Sequence, residues 1–283
     1  MSSDLHGTMI RLTCTVLFSA LFSGVLFAET APYYRFWRGF KKADLAWKDF
    51  HQALVTDFMP ATVKTHGHEG LVSYLVVLPS ATDSVVVPDE AALVAYQSEE
   101  TYKTVSSTPH GQAYQKKHGD IFTSKVSPSA DLLAKQRASR SLVPVAFSTI
   151  LADDFRREGA YDVLGQPIDW QTGHSVFFLG LRKPSLRPDF FWDALHKHIS
   201  YVKTAFPPFG LRGYVVLVDR DYEMAFMNWN TKEAMEKTFQ SPQGKALMKD
   251  AQGLLNTLMW QDFRDFDGLV QPGECVNVKF PRP

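Results

Sequence analysis

The sequence predicts an α+β fold in which two βαββαβ units pack sheet to sheet as a barrel inside one chain. Three observations carry this. The stretch 95–114 is answered by 228–247, each copy sits in the same alternation of strand and helix patterns, and the strands are apolar at nearly every position rather than at alternate ones.

The repeat is read by setting "AYQSEETYKTVSSTPHGQAY" against "NWNTKEAMEKTFQSPQGKAL". Tyr96 then faces Trp229, Ser98 faces Thr231, Glu100 faces Glu233, Pro109 faces Pro242, Gly111 faces Gly244 and Ala113 faces Ala246, with no gap. Further upstream Gly39 faces Gly180, Phe50 faces Phe191, Ala53 faces Ala194 and Leu54 faces Leu195. A residue lost near 67–70 sets "SYLVV" (Ser73 to Val77) against "RGYVV" (Arg212 to Val216). The shared order predicts an internal duplication, with one unit at 33–126 and the other at 174–266.

In the second unit, His174 to Leu181 is an apolar run of strand length. Pro188 to Phe206 has helical spacing through Phe191, Leu195, His198 and Val202. "GYVVLV" and "EMAFMNW" read as a hairpin turning on Asp219, Arg220 and Asp221. Thr231 is placed to cap the next helix, with Glu233 in its first turn, and Ser98 with Glu99 and Glu100 repeats the device. A last strand is expected at Met259 to Phe266 and at Ile121 to Val126. This order is that of a ferredoxin-like unit. Such a unit covers one face of its sheet with helices and leaves the other wet, yet "SVFFLGL", "YVVLV" and "YLVVL" are apolar on both faces. Each unit therefore has to shield the other's open face, a pseudo-dimer within one chain that can stand as a monomer. The connector 127–172 contains "LVPVAFSTIL" and is long enough to hold structure of its own, and 267–283 reads as a C-terminal tail.

The chain has 283 residues, 45% of them hydrophobic, enough for one large core or two small ones. Lys plus Arg and Asp plus Glu balance at 30 each, and the pI is near 7.1, so no basic stripe invites nucleic acid. Phe 21, Tyr 10 and Trp 6 favour a thick apolar interior or a pocket for a flat ligand. Met9 to Arg11, the apolar run Leu12 to Phe27 and Ala28 before Glu29 predict a signal peptide over 1–28, and with it a periplasmic or secreted protein carrying no stable membrane span after cleavage. Cys14 falls in that run, so the mature chain keeps Cys275 alone and forms no internal disulfide. G-x-S-x-G, phosphate-loop, Rossmann and C-x-x-C motifs are absent.

The segment "DFFWDALHKHISYVKTAFPPFGLRGYVVLV" resembles the first helix and second strand of EthD-like proteins. "MNWNTKEAMEKTFQSPQG" is similar to the strand-to-helix junction of antibiotic-biosynthesis monooxygenases. Both belong to the dimeric α/β-barrel superfamily, here in tandem single-chain form. The resemblance implies the barrel and a range of chemistries: cofactor-free oxygenases, haem-degrading enzymes, chlorite dismutase-like haem proteins, isomerases and members without a known reaction. The haem-degrading pattern is not met, since the first strand of the second unit lacks Asn and its second helix lacks Trp and His. The chlorite dismutase pattern is half met, with His66 or His68 before a strand but no Arg on Tyr74 to Leu78.

Candidate residues are then weighed on their own chemistry. His196 and His198 lie two apart on a helix and cannot share a metal; His198 sits on the apolar face and His196 four residues after Trp192. Either is a candidate acid/base. Trp192, Trp229, Asn228, Tyr96 and His51 are candidate ligand contacts, with Trp229 and Tyr96 as pocket walls at equivalent strand ends. "THGHEG" (Thr65 to Gly70) gathers His66, His68 and Glu69, which falls short of a metal set. His110 and His118 are expected to face solvent or cap their helix. The readings that follow are an exported protein binding a small hydrophobic or planar molecule, with haem admitted by the resemblance, in a cleft between helices and sheet; an oxygenase or isomerase, cofactor-independent or haem-dependent, acting on an aromatic substrate there; and an interaction module.

Overall fold

The structure, a computed structural model, describes residues 32–79, 86–123, 135, 137–156 and 158–279. The expected signal peptide lies outside them, as does Cys14.

The N-terminal half runs β1 (Tyr33–Gly39), α1 (Trp47–Ala53), a π-helical turn (Leu54–Phe58), α2 (Met59–His66), β2 (Leu71–Leu78), β3 (Glu90–Tyr96), α3 (Glu99–Ser107) and α4 (Pro109–Ile121). The connector contributes the short strands β4 (Arg140–Leu142), β5 (Val145–Ala146) and β6 (Gly159–Asp162). The C-terminal half follows with β7 (His174–Arg182), α5 (Pro188–Ala205), β8 (Leu211–Val218), β9 (Tyr222–Trp229), α6 (Lys232–Gln240), α7 (Pro242–Leu254), β10 (Leu255–Asp265) and β11 (Glu274–Asn277). The strands form one mixed 11-stranded sheet in the order β4-β1-β3-β2-β11-β10-β7-β9-β8-β6-β5. The protein is thus α+β with a curled, barrel-like sheet. Among the described residues no helix is long and apolar enough to cross a membrane.

The two halves are built by the same local devices. Ser98 Oγ accepts from the Thr101 amide and Thr231 Oγ1 from the Ala234 amide, each satisfying a helix-end donor. Thr108 and Ser241 cap the following helices, each with Pro at its start. A Cβ on Gly111 would stand 2.1 Å from the Val105 carbonyl oxygen, and one on Gly244 2.1 Å from that of Thr238, so the two helix corners demand glycine for one reason. Gly39 pairs with Glu90 as Gly180 pairs with Glu223, and Tyr33 pairs with Tyr96 as His174 pairs with Trp229.

Side chains on one face of the half-sheets meet in the interior. Tyr34, Phe36, Leu75, Val77 and Leu93 share a core with Phe177, Leu179, Val215, Leu217, Met224 and Phe226. Phe36 stands edge-on to Phe226, with ring centres 5.1 Å apart. Each such side chain withdrawn from water contributes about 1.5–3 kcal/mol, and the inward face of these strands is mostly apolar. On the opposite faces the helices close two further cores, around Phe50, Leu54 and Met59 and around Phe191, Leu195 and Ile199.

Three expectations change. Tyr74 stands opposite Tyr214, with Gly70 opposite Gly210 (φ +91° and +105°) and a register break after Leu71 as after Leu211. The register of "SYLVV" against "RGYVV" is therefore one residue off, and the lost residue belongs at the π-helical turn instead of 67–70. Between Leu54 and Phe58 lie Val55, Thr56 and Asp57, whereas between Leu195 and His198 lie only His196 and Lys197. A single-residue insertion in a helix is absorbed as such a turn. Secondly, Ile121 ends α4 and Phe122 makes one bridge to Lys41, while β4 takes the edge beside β1; 124–126 lie outside the described residues. Finally, the segment read as a tail supplies β11, antiparallel to β2 and parallel to β10, which joins the half-sheets.

Candidate functional site

The helix-facing side of the N-terminal half-sheet does not close completely against its helices. It leaves a cleft of about 340 Å³, floored by Arg35, Trp37, Tyr74, Glu90, Ala92, Val94 and Tyr96 and roofed by helix residues, with the 139–141 segment at its rim. The floor residues arrive there by strand alternation: their neighbours Phe36, Leu75 and Leu93 point into the barrel. The π-helical turn supplies Phe58, and α2, α3 and α4 supply Thr62, His66, Tyr102, Tyr114 and His118.

Several polar groups of the cleft are paired with one another. Trp37 Nε1 donates to Glu90 Oε2 at 2.8 Å. Its indole lies over Gly39, where a Cβ would come within 2.7 Å of Nε1. Thr62 donates to the Phe58 carbonyl, so Tyr114, 2.7 Å away, donates to Thr62. Tyr96 OH lies 3.4 Å from His66 Nδ1, and His66 Nε2 has no hydrogen-bond partner among the described residues. The His118 ring is boxed by Trp37, Phe58 and Tyr114 at 4.5 to 4.9 Å between ring centres.

Burial sets the protonation of these groups. It pulls His66 and His118 down to about 4 and pushes Glu90 up to about 8, the latter against the opposing pull of the Trp37 N–H. At neutral pH the imidazoles are unprotonated and the Glu90 carboxyl largely keeps its proton. Tyr74 and Tyr114 are held far above the ordinary phenol range, also by burial. Two bases and an acid therefore face one aromatic-walled space.

Of the candidate acid/base and ligand-contact residues named from the sequence, Tyr96 lines this cleft, and the others lie elsewhere. His198 is 7% exposed and its Nδ1 lies 2.7 Å from Asp250 Oδ2. His196 packs on Phe147 and Phe155 rather than on Trp192, whose Nε1 donates to the Asp219 carbonyl. Trp229 is fully buried between Phe206 and Phe239. Asn228 bonds Arg212, Ser175 and the Thr172 carbonyl, and His51 contacts the Val270 carbonyl. His66 ends a helix instead of sitting in a loose loop, and His118 faces the cleft instead of solvent, while His68, Glu69 and His110 are exposed. Among the described residues no group of three or more His, Cys, Asp or Glu is placed to hold a metal.

The position-by-position correspondence of the two halves carried the missing signal. Arg35, Thr62, His66, Tyr96, Ser106, Tyr114 and His118 stand opposite Val176, Val202, Phe206, Trp229, Phe239, Leu247 and Ala251. Most of those counterparts fill the C-terminal core. Of the polar floor residues, Glu90 and Tyr74 keep their type, as Glu223 and Tyr214, which bond each other at 3.0 Å. The polar positions of one half that are apolar in the other outline the cleft.

Fold and site together define an α+β protein with a curled mixed sheet and an aromatic-lined cleft between that sheet and its helices. No protein-family model matches the sequence, and no curated protein matches it. Among solved structures the chain is similar to a monooxygenase-like protein from Lactobacillus acidophilus NCFM, at 8% identity over 88% of this chain and 100% of that one, TM-score 0.38. It is also similar to an anthrone oxidase-like protein, at 16% identity over 82% and 92%, TM-score 0.35. A mutant chlorite dismutase from Candidatus Nitrospira defluvii matches at 11% over 78% and 95%, TM-score 0.30. At such scores no residue role passes from them to this chain.

Proposed function

We propose that the N-terminal cleft binds a small planar aromatic molecule and moves a proton on it, the step that a cofactor-independent oxygenase or an isomerase requires. One observation carries this: two neutral imidazoles, each with one ring nitrogen free to accept a proton, and a protonated carboxyl share a single aromatic-walled cavity at neutral pH. Groups pushed apart in this way divide into base and acid. His118 or His66 takes the proton, and Glu90 returns it or stabilises the oxyanion. In the oxygenase form dioxygen is the oxidant: an activated methylene loses both hydrogens and gains a carbonyl oxygen, and the second oxygen atom leaves as water. Haem does not fit. A volume of about 340 Å³ is near the lower limit of small-molecule sites and suits two or three fused rings, not a tetrapyrrole.

Around this reading stand three further proposals. The halves are two ferredoxin-like repeats of one ancestral unit, the second having lost its cleft to apolar filling. Residues 1–28 direct the chain out of the cytoplasm. The paired halves let it work as a monomer.

The test is a fluorescence titration of the full chain with anthrone, a three-ring compound with one activated methylene, since Trp37 lies in the cleft, followed by oxygen uptake on the same mixture. Saturable quenching with oxygen consumption, both reduced in His118→Ala, is the expected result. Quenching without turnover of this or an isomerisable enone would leave a binding protein. Absence of saturable quenching would overturn the reading.

A further inference from the structure

One charge in the cleft is left unbalanced. Arg35, on β1, lines the floor; its Nε donates to Ser141 Oγ at 2.8 Å and its Nη1 to Tyr33 OH at 3.2 Å. The guanidinium carbon lies 4.7 Å from the centre of the Tyr102 ring. These contacts fix the plane of the group and, among the described residues, leave Nη2 with its hydrogens unclaimed. Among the described residues no carboxylate lies within ion-pair distance of it. Arg140, the other arginine of the cleft, shares Glu158 with Arg38. Glu90 is the cleft's one acidic side chain, and its Oε2 is taken by Trp37.

A cation held by two neutral hydroxyls and a ring face, beside an apolar cavity, is arranged to receive an anion. An anion entering such a cavity sheds water, a cost that a fixed fork of N–H donors offsets and a neutral wall does not. The position opposite Arg35 in the C-terminal half, where the equivalent space is filled, is Val176, fully buried. The guanidinium therefore goes with the cavity and not with the architecture.

We propose that Arg35 anchors a carboxylate on the ligand, so that the molecule taken by the cleft is a planar aromatic acid and not a neutral aromatic. This rests on the cleft being the binding site. It adds the polarity of binding: the acidic group lies at the Arg35 and Ser141 end, and the ring extends toward Trp37, Tyr114 and His118.

The experiment is isothermal titration of the full chain with 1-hydroxy-2-naphthoate and with 1-naphthol, which share a ring system and differ in the carboxylate. The carboxylate is expected to bind more tightly by about tenfold or more, the range of a charge-assisted pair. Arg35→Met is expected to bring the two affinities together, and Arg35→Lys, which keeps the charge and loses the fork, to keep part of the preference. Equal affinities in the wild type, or a preference that survives Arg35→Met, would overturn the anchor and leave the cleft standing. Failure of both molecules to bind the wild type would overturn the cleft reading with it. If Arg35→Met does not fold, the wild-type ratio and the Arg35→Lys ratio decide.

Discussion

Trp37 holds Glu90 by a 2.8 Å hydrogen bond across the face of Gly39, and the carboxyl so held is only 1% exposed. Burial raises Glu90 from 4.5 to about 8, so the folded chain keeps a proton that the unfolded chain gives up. The sign follows from linkage. This group's contribution to stability is complete below about 4.5 and is lost as pH rises through about 8. The wild type is therefore expected to lose stability relative to Glu90→Gln between pH 5 and pH 9, by a few kcal/mol at about 1.4 kcal/mol per pKa unit. Urea unfolding of both proteins across that range measures it, and a difference that stays flat with pH would refute the assignment.

His66 and His118 work in the other direction. Burial lowers both from 6.5 to about 4, so their contribution is present above about 6.5 and is lost as pH falls through about 4. Acid should destabilise the protein with a slope of up to two protons, about 1.4 kcal/mol per pH unit for each. His66→Phe, which installs the residue type found opposite at Phe206, should remove one proton from that slope and raise stability at pH 5 while narrowing the cleft. Following the imidazole resonances by NMR from pH 7 to 4 checks both midpoints. A midpoint near 6.5 for His66 would sink the prediction.

The curled, barrel-like sheet is legible in the sequence because its cause is composition. Strands such as "YLVVL" and "YVVLV" leave no wet face, and the caps at Ser98 and Thr231 mark the same helix starts twice. The site is less legible because its residue types are ordinary where they occur. Glu90 opens β3 and reads as a strand-end charge; its burial is made by Trp37 and Tyr74 from two other strands. His66 falls next to Gly67 and reads as loop, although α2 runs through it. His198 and Trp229 drew attention as an aromatic and a base on suitable elements, yet one lies beside Asp250 and the other is core. Local pattern says which face a residue takes, not whether the facing element leaves room beside it.

Arg38 ties the halves together from the barrel side of β1. It is 1% exposed, and its Nη1 lies 2.7 Å from Asp219 Oδ2, 2.7 Å from Tyr222 OH and 2.8 Å from Glu158 Oε1. Removing the cation leaves Asp219 and Glu158 near each other with only Arg140 to offset Glu158. Arg38→Met is expected to cost about 2–4 kcal/mol, below the upper range for a buried pair because both acids keep some water contact. Adding Asp219→Asn should recover part of the loss. Chemical denaturation of the single and double variants measures the coupling, and additive losses would show that the pair is not coupled.

The π-helical turn at Leu54–Phe58 offers a test of the correspondence between halves that needs no ligand. Leu54 and Leu195 are fully buried, as are Met59 and Ile199, but one more residue separates the first pair than the second. The turn takes up the difference, so that Thr62 and His66 reach the same depth as Val202 and Phe206. Deleting exposed Thr56 should close the turn into a regular helix with both flanks in place, changing stability by about 1 kcal/mol or less, because it exchanges one regular backbone pattern for another. Deleting Glu69, in the short turn that ends at Gly70 and its φ of +91°, should cost about 3 kcal/mol or more, since it pulls β2 one residue out of register and reverses its faces. Thermal unfolding of the two deletions compares them directly. If Thr56 is the costlier loss, the inserted residue does not lie in this turn, and the pairing of His66 with Phe206 fails.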